Sequence, residues 1–347
     1  MILTKLELKR AGLVMMLCAL ASCAALIPVN LSAAQDKPPT QTQATPTNPT
    51  TPAQPAPAVR LNLIVIDEQR HTGAAARREE VSVFEDNIAQ TITYFEKETL
   101  PVSYALLVDN SGSMKPVLEM VVRTCGSLVV ANKPGDETAI IRFVDSEEIK
   151  ILELFTDSKQ SLGEALALMR TEGGQTALID AVYLAVETVA ERRRDDPARR
   201  RAIVLITDGD DRSSYYKSSQ LQKLIRESGV QAFVIGFTQV ADREGGLLSA
   251  RAREKATKLL DSIAQESGGR TFYPKKVPDL VAAVGEIARD LRTQYVVGYE
   301  STNAARDGKF RKVEVKIADT PTQPKRIAVT RSGYFAAGGE PRKKDKK

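Results

Sequence analysis

Ser103-Tyr104-Ala105-Leu106-Leu107-Val108-Asp109-Asn110-Ser111-Gly112-Ser113 is the stretch on which the reading of this chain turns. Its first six residues carry no charge and form a buried-strand pattern. The segment that follows, Met114 to Ala131, has helical periodicity. Between the two, an acid and two hydroxyls stand at alternate positions, so in an extended loop the three side chains point the same way. Oxygen donors grouped at the mouth of a buried strand make half of a site for a hard divalent cation. The other half must come from elsewhere in the chain.

Further apolar runs with β-branched residues lie at Thr138–Phe143, Arg201–Thr207 and Val230–Phe237. Helical patterns separate them, at Ser158–Met169, Ala177–Arg194 and Ser218–Ser228, with two more at Ala256–Gln265 and Val277–Arg292. Near-continuous apolar strands with amphipathic crossovers predict an α/β fold with a doubly wound, mainly parallel sheet. Open sheets of that sort bind ligands outside the carboxyl ends of their strands. Asp109 and Asp208 each stand at such an end, and Thr176 follows Gly173-Gly174-Gln175 where the third helix opens. Asp109, Ser111, Ser113, Thr176 and Asp208 together offer two carboxylates and three hydroxyls. That all-oxygen set suits Mg2+ first, with Ca2+ and Mn2+ tolerating related shells. With few direct carboxylates the cation stays electrophilic, so an Asp or Glu from a protein partner can complete its shell.

The set Asp109-x-Ser111-x-Ser113, Thr176 and Asp208 resembles the metal-ion-dependent adhesion site of von Willebrand factor type A (VWA) domains, with all five positions matched. The resemblance covers about Leu100 to Tyr299. It implies that Ser111 and Ser113 bind the metal directly, Thr176 directly or through water, and Asp109 and Asp208 mostly through water. Toward the flanks, Val83-Phe84-Glu85-Asp86, Tyr295-Val296-Val297-Gly298-Tyr299, Asp307-Gly308-Lys309-Phe310-Arg311 and Arg331-Ser332-Gly333-Tyr334 resemble an exported bacterial family, the VWFA-related acidobacterial type. That family implies an architecture and no settled activity.

The flanks read as β structure. Arg60–Ile66, Val81–Asp86 and Thr91–Phe95 are short strands, with Asn87-Ile88-Ala89-Gln90 as a turn. At the other end Phe310–Ile317 alternates cleanly and Arg326–Thr330 follows. Each end is too short to fold by itself, so the two are expected to combine into one small β module beside the central domain.

The N-terminus has the form of an export signal: Lys5, Lys9 and Arg10, then an apolar run from Ala11 to Ile27. Leu20-Ala21-Ser22-Cys23 fits a bacterial lipobox with lipidation at Cys23. Ser32-Ala33-Ala34 fits ordinary cleavage before Gln35. A third reading is an uncleaved anchor, although the run is barely long enough to span a bilayer. All three place the remainder outside the cytoplasm, in the periplasm, cell envelope or medium, and the first and third tether it to a membrane. Of the twenty-four residues from Gln35 to Ala58, seventeen are Pro, Thr or Gln. Such a segment is a disordered linker that can extend to roughly 70 Å. The expected organisation is therefore signal 1–34, linker 35–58, N-terminal β segment 59–99, VWA domain 100–300, C-terminal β segment 301–335 and basic tail 336–347.

Composition narrows the functions. The chain has 347 residues, a 42% hydrophobic fraction, no Trp and a net charge of +5. That modest balance gives no case for nucleic acid, which calls for a concentrated basic face. The run Arg192-Arg193-Arg194 to Arg199-Arg200-Arg201 is interrupted by Asp195 and Asp196 and reads as a solvated face. Asp210 and Asp211 read as solvated loop acids, and Gly173-Gly174 as a turn, since no phosphate-loop motif surrounds it. The terminal Lys343-Lys344-Asp345-Lys346-Lys347 reads as a frayed tail. Cys125 stands alone in the globular part and reads as a small core residue.

Three functions fit. The first is a metal-dependent protein-binding module with no catalysis. The second is an envelope scaffold whose metal site is idle. The third is a metal-assisted hydrolase, for which the inventory is poor: His71 is the one His in the chain and precedes the domain. That count argues against a Ser-His-Asp triad and a His-bound zinc.

Overall fold

The computed structural model describes residues 59–238, 250–319 and 325–337. The export signal with Cys23, the linker and most of the basic tail lie outside them. Among the described residues no helix is long and apolar enough to cross a membrane.

The centre is a six-stranded sheet. In spatial order it runs β10 (Thr271–Phe272), β9 (Gln231–Gly236), β8 (Arg200–Thr207), β5 (Val102–Asp109), β6 (Glu137–Phe143) and β7 (Ile149–Thr156). All neighbours are parallel except β6 and β7. Alternation along β5 sends side chains to two separate cores. Tyr104, Leu106 and Val108 pack with α1 (Leu118–Val130), α2 (Lys159–Ala167) and α6 (Val277–Asp290). Ala105 and Leu107 pack with α3 (Leu178–Glu191), α4 (Ser218–Ser228) and α5 (Ala250–Ser267). Helices on both faces of a mainly parallel sheet are the doubly wound arrangement that the sequence predicts. Cys125 lies on α1 inside the first core, where burial pushes its thiol up to about 12.

Two antiparallel sheets flank it. One has the order β13 (Arg326–Val329), β1 (Val59–Asp67), β11 (Thr293–Tyr299), β4 (Ile92–Thr99). The other runs β14 (Gly333–Phe335), β12 (Phe310–Ile317), β2 (Val81–Glu85), β3 (Ile88–Gln90). Their inner faces share a core containing Leu61, Leu63, Val83, Val297 and Val315. Both chain ends thus build the expected β module, and β11 joins it through pairing with β1 and β4. β1 is the seam: Leu63 and Val65 face the module's core, whereas Ile64 and Ile66 enter the α/β core beside Val102 and Leu280. At Gly268 (φ 77°) an added Cβ would stand 2.4 Å from the backbone nitrogen of Arg331, so only glycine lets the module approach there.

The motifs outside the central domain meet around one buried acid. Glu85, 2% exposed, accepts hydrogen bonds from Tyr299 Oη (2.8 Å), Tyr334 Oη (2.9 Å) and Ser301 Oγ (2.5 Å). A second tie is ionic: Arg326 Nη1 lies 2.7 Å from Glu80 Oε2, and Arg77 pairs with the same carboxylate. Arg326 first, and then Arg77, hold Glu80 down at about 2.

Several expectations need correction. The first helix begins at Leu118 rather than Met114, because Gly112–Met114 forms a 3-10 turn and Pro116 supplies no N–H for a helical bond. Of the segment expected as a turn at Asn87–Gln90, Ile88–Gln90 is instead the strand β3. The reversal falls on Asp86 and Asn87, both at positive φ, the geometry of a tight hairpin. β7, absent from the sequence reading, is an edge strand with exposed Ile151 and Leu154. The arginine run is a solvated face only in part: Arg193 and Arg194 are exposed, but other guanidinium contacts are internal. Arg192 and Arg193 converge on Glu137 at 2.9 and 2.6 Å, and Arg200, 4% exposed, donates to the carbonyls of Arg292 and Glu98 at 2.6 and 3.1 Å. The run stands where β8 re-enters the sheet, so its guanidinium groups brace that entry.

Two predictions follow from these ties. Replacing Glu85 by Ala orphans three hydroxyls and should lower the unfolding free energy by about 3 kcal/mol, with Glu85→Gln losing less. Urea denaturation checks this, and equal losses would contradict the role of the carboxylate. Glu80 has a folded pKa below its ordinary value of about 4.3, so its stabilisation is present above that value and lost as pH falls toward about 2. The gap in urea midpoint between wild type and Glu80→Gln should therefore be wide near neutrality and close below about pH 3.

Candidate functional site

In-register parallel pairing puts Val108 opposite Ile206, so Asp109 and Asp208 leave neighbouring strands at the same edge of the sheet. Thr207 links them. Its hydroxyl donates to Asp109 Oδ2 (2.6 Å) and accepts the Gly209 amide (3.0 Å). The other oxygen, Asp109 Oδ1, accepts the Ser111 amide at 2.9 Å. Asp208 Oδ1 accepts the amide of Asp210 at 3.1 Å. Gly209 has φ 84°, and a Cβ there would press on Ala256 and Leu260 at 3.0 Å, so the turn after Asp208 requires glycine.

Backbone hydrogen bonds stitch the three loops into one platform. Asn110 N donates to Phe143 O (2.8 Å), and Glu172 N to Asn110 O (2.8 Å). Ala177 N donates to Val144 O (3.0 Å), while Arg212 N and Ser213 N both donate to Thr176 O (2.8 and 3.2 Å). Ser111 also bridges Glu172 in parallel. Thr176 is thereby fixed to the loop that follows Asp208, and Ser111 to the loop that precedes Thr176. Ser111 and Ser113 present their hydroxyls 3.0 Å apart. Asp109, Ser111, Thr176 and Asp208 are buried, at 0, 2, 4 and 3% exposed, whereas Ser113 opens to solvent.

The electrostatics of this site are unbalanced. Burial first, and the Asp208 carboxylate second, push Asp109 well above the usual carboxylate range. Neither acid has an Arg, Lys or His within ion-pairing distance among the described residues, although most other buried carboxylates of the fold do. Two buried carboxylates without a cationic side chain, at the edge where the loops carrying three hydroxyls meet, fit a bound hard cation. Both Asp109 oxygens are already engaged by protein donors, which fits contact through water. Among the described residues no group of three or more His, Cys, Asp or Glu is placed to hold a metal.

Neighbouring acids do structural work. Asp211 Oδ1 accepts Ile179 N (3.2 Å) in the first turn of α3 and the Ser214 hydroxyl (2.5 Å), while Asp210 pairs with Arg212 (2.5 Å). Their reading as solvated acids is corrected: Asp211 caps a helix from a distant loop. Asp180 is a positioning residue that the sequence reading missed. It accepts the amides of Tyr215 and Tyr216 (both 2.8 Å) and the Ser146 hydroxyl (2.7 Å), fixing the loop beyond Asp208. An acid in the apolar run Leu178-Ile179-Asp180-Ala181 was the available signal. Thr207 was missed as well, although it adjoins Asp208. His71 takes no part in the site; it stands beside Asp67 at 3.5 Å, on the loop after β1.

Comparison with curated proteins finds no match. Among solved structures the chain is similar to an aerotolerance-related membrane protein from Bacteroides fragilis, at 23% identity over 55% of this chain and 98% of that one, TM-score 0.43. It is also similar to a von Willebrand factor type A protein from Catenulispora acidiphila, at 14% identity over 80% and 74%, TM-score 0.43. A third is the vWF domain of the type V pili tip protein Mfa5 from Porphyromonas gingivalis, at 14% identity over 55% and 95%, TM-score 0.42. The family model for the von Willebrand factor type A domain matches residues 105–284, more than half of the chain. With that match, the six-stranded sheet and the helices on its two faces, the chain belongs to the von Willebrand factor type A domain family.

Proposed function

We propose that this protein is an exported binding module that captures a protein partner through a divalent cation. The observation that carries the reading is the pair of buried acids, Asp109 and Asp208, at one edge of the sheet beside the loops of Ser111, Ser113 and Thr176, with no cationic side chain in ion-pairing reach among the described residues. Ser111 and Ser113 would hold the cation directly, Thr176 directly or through water, and the two acids through water. When bound, the cation supplies an electrophilic coordination position for an Asp or Glu of the partner. Mg2+ suits the oxygen set and its tolerance of retained waters. The protein's part is positional: the Thr207 hydroxyl and the Ser111 amide orient Asp109, and the loop bonds to Thr176 O hold the third hydroxyl in place. The reading assigns no reaction to the site. The basic, apolar N-terminal segment and the proline-rich linker after it support export and a site held off a membrane.

Two experiments test the proposal. Asp109→Ala should abolish calorimetric Mg2+ binding and the Mg2+-dependent capture of partner from envelope extract. Capture that survives both this substitution and EDTA would sink the reading. Asp211→Ala should separate structure from binding: loss of the α3 cap costs about 1 kcal/mol of stability, with Mg2+ affinity retained, whereas Asp208→Ala loses the affinity. Equal loss of Mg2+ binding in both variants would contradict the division of roles.

A further inference from the structure

Between buried Met169 and buried Thr176 the chain runs through Arg170, Thr171, Glu172, Gly173, Gly174 and Gln175, none of them buried. No side chain of this loop enters a core, so polar ties must set where it carries the Thr176 hydroxyl. The ties at its far end lead to the Asp208 loop: Thr176 O accepts the amides of Arg212 and Ser213, and Gln175 O accepts the Ser213 hydroxyl at 2.5 Å. The ties toward Ser111 and Ser113 pass through Asn110 and the buried cation Arg142.

Asn110 is 0% exposed and stands between Asp109 and Ser111, so alternation sends its side chain away from theirs. There Asn110 Nδ2 donates to Arg170 O at 2.7 Å, while Asn110 O accepts Glu172 N at 2.8 Å. One residue thus grips the incoming loop at two positions. Asn110 Oδ1, by contrast, is buried and meets no donor among the described residues. An unpaired buried acceptor is destabilising, so the carboxamide is explained by the bond it donates. Arg142, 7% exposed and opposite Val108 in the sheet, adds a third hold. Its Nη1 lies 2.8 Å from Glu172 Oε1 and its Nη2 3.5 Å from Glu148 Oε2. Beyond these holds Gly174 passes so close to the next loop that an added Cβ would stand 2.6 Å from Val144 Cγ1.

We infer that Asn110 is a positioning residue for the proposed cation site: its carboxamide, backed by the Arg142–Glu172 ion pair, holds the Thr176 loop against the Ser111 loop closely enough to favour Mg2+ over Ca2+. The inference rests on the metal reading and adds side chains outside the ligand set that tune it. Mg2+ demands near-octahedral oxygens at about 2.1 Å, whereas Ca2+ accepts a looser and more variable shell at about 2.4 Å. A loop free to shift by a few tenths of an ångström therefore loses the first cation and keeps the second. Asn110 acts only through the loop, because its donor is spent on Arg170 O.

The test is calorimetric titration of the full-length protein with Mg2+ and, separately, with Ca2+. Wild type should bind Mg2+ the more tightly. Asn110→Leu keeps the side-chain shape and removes both the donor and the unpaired acceptor, so the metal-free urea midpoint should stay close to that of wild type. Its Mg2+ Kd should rise about tenfold, the equivalent of one hydrogen bond. Its Ca2+ Kd should change less than about threefold, given the looser shell. Glu172→Gln, on the exposed loop, should shift the preference the same way by less, and it decides the matter if Asn110→Leu does not fold. Glu147→Gln removes the same charge from an exposed position outside these ties, and it should weaken both cations alike with the preference intact. A wild type that binds neither cation overturns the metal reading and this inference together. Wild-type Mg2+ binding with the preference unaltered in Asn110→Leu and Glu172→Gln overturns this inference alone. Parallel loss of both cations in Asn110→Leu, with a large fall in urea midpoint, gives Asn110 a structural role only and also overturns it.

Discussion

Register between β5 and β8 is the constraint on which this molecule depends. With Val108 opposite Ile206, Asp109 comes level with Thr207, and the Thr207 hydroxyl can reach Asp109 Oδ2 at 2.6 Å. Shifting either strand by one residue would invert its side-chain alternation and move apolar groups to the wrong core. The two cores therefore enforce the register, because Tyr104, Leu106 and Val108 belong to one and Ala105 and Leu107 to the other. The site is a by-product of packing in that sense: the apolar strands fix where the acids emerge. The backbone bonds among the loops of Asn110, Glu172, Thr176 and Arg212 then hold the hydroxyls beside them.

The β module bears on the same structure through β1, which is buried on both faces. Ile64 and Ile66 enter the α/β core, and Leu63 and Val65 enter the module's own. Two polar ties close the module across long stretches of chain: Glu85 with Tyr299, Tyr334 and Ser301, and Glu80 with Arg326. These residues include the motifs outside the central domain, and their roles are architectural. A carboxylate held by three hydroxyls costs little when all are paired and much when one is removed.

The sheet was legible in the sequence because each central strand is an uninterrupted apolar run and each crossover has helical periodicity. That the loops of Asp109, Ser111, Ser113, Thr176 and Asp208 meet at one edge of the sheet was legible because spacing and strand-end position are both sequence properties. Contacts between distant residues were not. Nothing local shows that Asp211 caps α3, that Asp180 receives the amides of Tyr215 and Tyr216, or that Arg192 and Arg193 share Glu137. Polar residues in a loop look alike until tertiary structure assigns them partners. β7 escaped because its pattern mixes charged and apolar residues, as suits an edge strand with one neighbour. The bond from Asn110 Nδ2 to Arg170 O spans 60 residues of chain, and neither segment announces it.

The most direct measurement on the central claim is anomalous diffraction from crystals grown with Mn2+. The account predicts one strong peak within bonding distance of Ser111 Oγ and Ser113 Oγ, on the side facing Thr176, and its loss in Asp109→Ala. A peak elsewhere, or none between those hydroxyls at saturating Mn2+, would contradict it.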